Sequence, residues 1–159
     1  MNPSSTLRRL FAVPVLGLAL ALAQGVHAAD TSPVAVPSAQ PDDFAAGKKA
    51  VEAKNWKAAS DSFARAAARD PRNADAFNML GYSLRWQNRY DEAFAAYDKA
   101  LALDPNHKGA LSYSGIGYVK AGRRAEAEAR LARLQALCAN CAETAELQKA
   151  LAGAPVAGK

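Results

Sequence analysis

A fixed interval of 34 residues links the turn-forming and small residues of this chain. The positions that keep this interval are Gly47, Gly81 and Gly115; Ala59, Ala93 and Ala127; and Pro71 and Pro105, each preceded by Asp. An interval of this length is typical of stacked supersecondary units, each of which has an apolar face that only a neighbouring unit covers. The chain is therefore predicted to be an array of repeated units.

Each unit carries the pattern of two helices. In the middle unit, apolar and small residues recur at the spacing of one helix face: Phe77, Leu80, Gly81 and Leu84. A second set follows the break at Gln87-Asn88: Tyr90, Ala93, Tyr97, Ala100 and Leu101. Asp104-Pro105 ends this helix because proline disfavours the helical conformation at the residue before it. Gly81 and Ala93 are predicted to lie where the two helices cross, since larger side chains would force them apart.

These residues stand at the signature spacings of the tetratricopeptide repeat, and the chain resembles that family over residues 42–139. The signature is fullest in the middle unit, at Phe77, Leu80, Gly81, Leu84, Tyr90, Ala93, Tyr97, Ala100 and Pro105. The flanking units carry parts of it, at Gly47, Trp56, Ala59, Phe63, Ala66 and Pro71, and at Leu111, Gly115, Tyr118, Ala127, Leu131 and Leu134. The resemblance implies an all-α fold of three helix-turn-helix repeats (about 42–73, 74–107 and 108–139) in a short right-handed solenoid. Residues 140–152 are predicted to form a capping helix that buries the last repeat.

The N-terminal residues 1–28 have the three parts of a secretory signal peptide. Arg8 and Arg9 precede an apolar run over residues 10–23, and residues 26–28 (Val-His-Ala) offer a small-residue cleavage site. An uncleaved anchor helix is the weaker alternative, because the run is shorter than the ~20 residues that span a bilayer. We therefore expect export to the periplasm, by the general or the twin-arginine route, and no membrane span in the mature chain. Two further segments, rich in proline and small residues, are predicted to be a flexible lead-in and a flexible tail: 29–41 and 153–159.

The positive charge of the chain is mild once the signal peptide is removed. The net charge of +5 falls to +3, with 18 Lys and Arg against 15 Asp and Glu, so nucleic acid is not an expected partner. A basic cluster remains at Arg123, Arg124, Arg130 and Arg133, interleaved with Glu126 and Glu128. We interpret it as a solvated helix face with internal charge pairs, in preference to an anion site.

Residues suited to catalysis or metal binding are scarce. His107 is the single histidine of the mature chain, and it is predicted to be an exposed residue in the turn between two repeats. With two cysteines it makes an incomplete zinc set, and no set of nucleophile, base and orienting residue can be assembled. We therefore expect no enzyme activity, no cofactor and no metal, and no small-molecule substrate is indicated.

Cys138 and Cys141 form a Cys-x-x-Cys pair where the last repeat ends. Haem attachment would need a histidine at the next position, which holds Ala142. The chain resembles exported bacterial tetratricopeptide proteins that end in such a pair before a final helix. Export favours a structural disulfide, which would fix the angle of the capping helix. A thiol-disulfide active protein that uses the pair is kept as the alternative function.

The resemblance also implies a concave groove lined by the first helix of each repeat, where a protein or peptide would bind. At 100° per residue, Tyr82, Arg85 and Trp86 fall on a helix face that the core pattern does not claim. With Asn78 and the positions one repeat away, the candidate groove residues are Phe44, Lys48, Val51, Asn78, Tyr82, Arg85, Trp86, Ser112, Ile116, Val119 and Lys120. Exposed Trp, Tyr and Arg together are typical of binding hot spots. Trp86 is either a partner contact or a packing contact with the neighbouring repeat.

Some tetratricopeptide domains hold a C-terminal carboxylate with Lys and Asn side chains at set positions, an arrangement known as a carboxylate clamp. The matching positions here are Phe44, Lys48, Met79, Gly109 and Tyr113, of which only Lys48 is suitable. This clamp is therefore not expected. The leading hypothesis is a non-catalytic periplasmic adaptor that holds an extended peptide or a helix in its groove.

Overall fold

The computed structural model describes residues 42–153, which fold into seven α-helices. The helices are α1 (Asp43–Glu52), α2 (Trp56–Arg69), α3 (Ala74–Trp86), α4 (Tyr90–Leu103), α5 (Lys108–Lys120), α6 (Arg124–Cys138) and α7 (Ala142–Ala152). The predicted signal peptide, the lead-in and the tail beyond residue 153 lie outside the described residues. Within the described range, no helix is long and apolar enough to cross a bilayer.

The helices pack in the order of the sequence. Helices α1 and α2, α3 and α4, and α5 and α6 form antiparallel neighbours, each pair contacts the next, and α7 packs against both α5 and α6. No strand occurs between residues 42 and 153. The prediction of an all-α fold of three helix pairs followed by a capping helix is confirmed.

Side-chain caps start four of the helices. Asp42, Asn55, Asn73 and His107 each accept a hydrogen bond of 2.9–3.2 Å from the backbone N–H three residues on. Each bond satisfies a donor that the first helical turn leaves free. The expectation of an exposed His107 is wrong, because its side chain is only 13% exposed. Its Nδ1 caps α5, and its Nε2 lies 3.0 Å from Oδ1 of Asp75.

The turn inside each helix pair contains one residue with positive φ. Lys54, Asn88 and Gly122 have φ angles of 54°, 59° and 73°. These three positions are also spaced by the 34-residue interval. Glycine adopts this left-handed conformation without strain and asparagine tolerates it. The backbone repeat thus extends to positions whose side chains are unrelated.

Close contacts between the two helices of a pair explain two of the equivalent glycines. A Cβ atom on Gly81 would lie 2.8 Å from the Tyr97 ring and 3.0 Å from the carbonyl oxygen of Ala93. This is the close helix approach that the sequence predicts at Gly81 and Ala93. A Cβ atom on Gly47 would lie 2.6 Å from the Phe63 ring. Any side chain at either glycine would therefore push the helix pair apart.

The third helix pair is completed by the capping helix. A Cβ atom on Gly115 would lie 2.5 Å from Cδ2 of Leu147 on α7, and Leu147 is fully buried. The position equivalent to Tyr97 is Leu131, which is only partly buried. Since leucine is smaller than tyrosine, the space beside Gly115 is filled from α7. The capping helix is therefore part of the core around the last repeat.

Candidate binding groove

The candidate groove residues fall into three groups by exposure. The exposed residues are Lys48, Trp86 and Lys120. The partly buried residues are Phe44, Val51, Tyr82, Ile116 and Val119. The buried residues are Asn78, Arg85 and Ser112. The prediction of one accessible face is therefore wrong for these last three.

Neighbouring helices cover Asn78 and Ser112. The Ser112 hydroxyl donates to the carbonyl oxygen of Glu143 on α7, at 3.1 Å. Asn78 lies against the first turn of α5, where a Cβ atom on Gly109 would be 3.2 Å from its Nδ2. The angular step around one helix cannot show which part of a face the next helix occupies, and this is the physical reason for both errors.

An aromatic cluster of Trp56, Tyr82, Trp86 and Tyr113 joins residues from α2, α3 and α5. Trp56 and Trp86 are stacked, with ring centroids 5.0 Å apart and planes 9° apart. Tyr82 lies 4.9 Å from Tyr113 and 6.3 Å from Trp86, again between ring centroids. Trp86 nevertheless keeps 47% of its surface exposed. It therefore makes a packing contact with the preceding helix pair and still offers a face to a partner.

Arg85 lies on the inner side of this cluster. Its Cζ is 5.2 Å from the ring centroids of both Tyr82 and Trp86, which are cation–π contacts. Only 9% of the residue is exposed. The absence of a side chain at Gly117 makes room for it, because a Cβ atom there would be 3.3 Å from Cδ of Arg85. The helix–helix packing of α3 against α5 thus buries a residue that the sequence pattern places on the surface.

Gln87 fixes the position of the cluster at the end of α3. Its Nε2 donates to the carbonyl oxygen of Trp56 at 3.0 Å and to the hydroxyl of Ser60 at 3.0 Å. A third contact, of 3.1 Å, joins it to the carbonyl oxygen of Ser83. These bonds tie α2 to α3 beside the stacked tryptophans, so the exposed face of Trp86 is held in place.

Two members of the cluster are missing from the groove residues predicted by sequence. Trp56 is assigned there only to the repeat signature, and Tyr113 only to an unfilled clamp position. A signal for Trp56 exists, since it precedes Trp86 by 30 residues and begins the helix that packs on the following pair. No sequence signal distinguishes Tyr113 from an ordinary helix residue.

A cavity of about 750 Å³ lies between α5 and α7. Its lining residues are Ile116, Val119, Lys120, Gly122, Glu146, Lys149, Ala150 and Gly153. Three of them, Ile116, Val119 and Lys120, are candidate groove residues of the third repeat. The cavity therefore extends the groove onto the capping helix, and its volume is in the range of pockets that enclose a ligand group.

The basic cluster of the last repeat consists of charge-paired side chains, as predicted. The ion pairs are Arg123–Glu126 at 2.8 Å, Arg124–Glu128 at 2.9 Å and Arg130–Asp98 at 2.7 Å. Arg133 donates to the carbonyl oxygen of Pro105. The hydrogen bond from Arg123 lowers the pKa of Glu126. Because its guanidinium groups already have acceptors, this face is a weaker candidate for anion binding than the groove.

Cys138 and Cys141 are two free thiols at the junction of α6 and α7. Cys141 is the N-cap residue of α7, and its Sγ lies 3.1 Å from the carbonyl oxygen of Cys138 and 3.4 Å from Oγ1 of Thr144. Hydrogen bonds from Cys138 and Thr144 lower the pKa of Cys141, whereas the hydrogen bond with Cys141 raises the pKa of Cys138. The disulfide between them stays a prediction.

The groove is suited to binding by contact and charge. Among residues 42–153, no three His, Cys, Asp or Glu side chains lie close enough to share a metal ion. Both ring nitrogens of His107 are engaged, one in the cap of α5 and the other with Asp75. What the groove presents is an aromatic surface, an apolar cavity and one buried cation.

Comparison with known proteins identifies the repeat. Residues 74–107 match the family model of the tetratricopeptide repeat. A stretch of 68 residues is 37% identical to a probable UDP-N-acetylglucosamine–peptide N-acetylglucosaminyltransferase, SPINDLY, of Eustoma exaltatum subsp. russellianum. The matched stretch is 43% of this chain, and it spans only 7% of the length of that relative. The likeness is therefore one of repeats and leaves most of the transferase unmatched.

Solved structures with the same fold are tetratricopeptide domains. The Arabidopsis OM64 domain is similar with a TM-score of 0.65 and 19% identity, over 69% of this chain and 91% of that one. The TPR2B domain of yeast Sti1, in complex with pHsp70, has a TM-score of 0.65 and 21% identity, over 70% and 92% of the two chains. PcrH, in complex with the chaperone-binding region of PopD, has a TM-score of 0.64 and 22% identity, over 70% and 87%.

Proposed function

Because this chain is a tetratricopeptide-repeat protein, we propose that it is a non-catalytic scaffold that binds a peptide or protein segment in the groove of α3, α5 and α7. One observation carries the proposal. Trp86, 47% exposed, is held by its stack on Trp56 next to an aromatic surface that continues toward an apolar cavity. A large exposed aromatic held in a fixed position loses little conformational entropy on binding, which is the property of a hot-spot residue.

Two of the similar structures support a peptide as the kind of partner. The Sti1 domain was solved with pHsp70 and PcrH with a region of PopD, so the same fold holds a segment of another protein in both. In this chain, the groove offers the features that such binding needs. The aromatic cluster supplies contact area, and the cavity of about 750 Å³ can enclose an apolar side chain of a partner.

The place of action that we propose is the periplasm. The support is the signal-peptide pattern of residues 1–28, with its paired arginines, apolar run and small-residue cleavage site. A fusion of these residues to a reporter that is active only after export would test this. N-terminal sequencing of the processed protein should then begin at Ala29 or Asp30. A reporter that stays inactive would refute export without affecting the groove.

The binding proposal is tested by affinity purification of the full chain from its native envelope, with bound proteins identified by mass spectrometry. Trp86→Ala is compared with wild type and with a matched control, Leu137→Ala. Leu137 is the other exposed large apolar residue of the described chain, 42% exposed on α6. We expect Trp86→Ala to lose the partner that Leu137→Ala retains. Undiminished capture by Trp86→Ala would refute binding at this groove.

A further inference from the structure

Arg85 is a buried cation without a counter-charge. It is 9% exposed, and it is absent from all ion pairs among the described residues. Six other arginines of this range do pair with Asp or Glu, and all of these pairs involve more exposed arginine side chains. The buried Nε of Arg85 has no hydrogen-bond acceptor. Such an unpaired buried charge is uncommon, because a guanidinium removed from water needs an anion or acceptors to offset its lost hydration.

The neighbours of Arg85 stabilise its charge only in part. The two cation–π contacts, with Tyr82 and Trp86, place Cζ 5.2 Å from each ring. A guanidinium that stacks on rings keeps its N–H groups in the plane between them, where they can bond to a carboxylate. The hydroxyl of Tyr97 also lies nearby, and it too has no hydrogen-bond partner. Burial raises the pKa of Tyr97, and the positive charge of Arg85 opposes this rise. Tyr97 therefore stays neutral and supplies no anion.

A second polar atom without a partner lies on the same helix. Oδ1 of Asn78 is buried and accepts no hydrogen bond. Asn78 is seven residues, or two turns, before Arg85 on α3, with Tyr82 between them on the same face. The two groups are separated by about 10 Å along the helix axis at a rise of 1.5 Å per residue. An extended peptide covers that distance in about three residues.

The charge on the cavity side of Tyr113 favours a carboxylate over a more highly charged anion. Lys120 and Lys149 line the cavity together with Glu146. Glu146 is close enough to Tyr113 to raise the pKa of that tyrosine, although burial is the larger cause. The surroundings are therefore positive by a single charge, which suits a monoanion. These positions differ from the clamp positions Phe44, Met79 and Gly109, so a different part of the groove is involved.

From these observations, and resting on the proposed function, we infer that the groove recognises an extended acidic peptide whose carboxylate pairs with Arg85. An N–H group of the same peptide, about three residues away, donates to Asn78. A neighbouring apolar side chain of the peptide packs on Trp86. The bound carboxylate neutralises Arg85, so binding relieves a charge that the free protein leaves unpaired.

The first step of the test is selection of binding peptides. A phage-displayed library of random dodecapeptides is panned against the full chain. We expect the selected sequences to be enriched in Asp and Glu beside an aromatic or aliphatic residue. Selection of peptides without acidic enrichment would overturn the inference about Arg85 and leave the proposed function standing. Selection of no binding peptide would count against both.

The second step measures the selected peptides, fluorescein-labelled, by fluorescence anisotropy. Arg85→Met should weaken binding at least tenfold, while Arg72→Met, which removes an exposed arginine outside the groove, should stay within about twofold. Replacing the acidic peptide residue by its amide should weaken binding to wild type and have no further effect on Arg85→Met. Amidation of the peptide C-terminus distinguishes a terminal carboxylate from a side chain. Equal affinity of wild type and Arg85→Met would refute the inference.

Stability separates this role from a structural one. Arg85→Met removes an unpaired buried charge and keeps an apolar stem, so the melting temperature should be unchanged or higher while binding is lost. A purely structural Arg85 would show the reverse, a lower melting temperature with binding retained by the folded fraction. If Arg85→Met fails to fold, Arg85→Lys keeps the charge, and the acid-to-amide change in the peptide is then compared on Arg85→Lys and wild type. A smaller effect of the peptide change on Arg85→Lys is expected, because lysine lacks the planar fork; an equal effect would contradict the pairing.

Discussion

The contact between Leu147 and Gly115 tests whether α7 belongs to the core or only rests on it. Leu147 is fully buried. Leu147→Ala removes three buried carbon atoms, which corresponds to about 2.4 kcal/mol at ~0.8 kcal/mol each. The cavity that remains adds to this loss. We therefore expect the free energy of unfolding to fall by about 3–4 kcal/mol.

The reverse change at the glycine crowds the same space. A Cβ atom at Gly115 would lie 2.5 Å from Cδ2 and 2.8 Å from Cδ1 of Leu147, whereas carbon atoms prefer about 3.5–4.0 Å. Overpacking of this kind costs about 1–3 kcal/mol, and replacing a helical glycine by alanine returns about 1 kcal/mol. Gly115→Ala alone should therefore lower the free energy of unfolding by about 0–2 kcal/mol.

The double variant gives the decisive comparison. With Leu147 truncated, the new methyl group at Gly115 has space and fills part of the cavity, so the combined loss should be at least ~1 kcal/mol smaller than the sum of the two single losses. Urea unfolding followed by far-ultraviolet circular dichroism measures all three, with Gln148→Ala as an exposed control on α7. Losses that add to within ~0.3 kcal/mol would refute the contact.

Three further predictions concern the groove, a cap and the thiols. Trp86→Ala should lower the free energy of unfolding by about 1–3 kcal/mol, less than the ~3–5 kcal/mol of a buried tryptophan, because only its stack on Trp56 is lost. A melt that shows a larger loss would place Trp86 in the core. His107→Ala should cost about 1 kcal/mol in urea unfolding as α5 loses its cap, and His107→Asn, with the residue that caps α3, should recover most of it; equal losses would contradict capping. In reduced protein, Cys141 should react with iodoacetamide at lower pH than Cys138, since their hydrogen bond lowers the pKa of Cys141 and raises that of Cys138. Site-resolved mass spectrometry measures both rates, and identical pH profiles would count against this order. In protein from the periplasm, thiol counting under denaturing conditions should find neither cysteine free.

Much of the fold could be predicted from local signals. The apolar spacing of Phe77, Leu80 and Leu84 and the break before Tyr90 define two helices without reference to any distant residue. The groove could be predicted less well. Trp86 is exposed, as a partner contact requires, but its stack on Trp56 joins residues of two different helix pairs. No pattern within one helix shows such a contact.

What the sequence by itself determined is the repeat and its helices. The 34-residue interval, the helix caps and the Asp-Pro ends act through the backbone within a few residues, so they specify local structure wherever the chain goes. Only the tertiary structure decided that Arg85 is buried without a counter-charge and that Leu147 completes the crossing at Gly115. Both depend on which parts of two helix surfaces meet. That choice follows from helix crossing and packing between residues far apart in the sequence, where a single side-chain volume, as at Leu131, changes which neighbour fills the space.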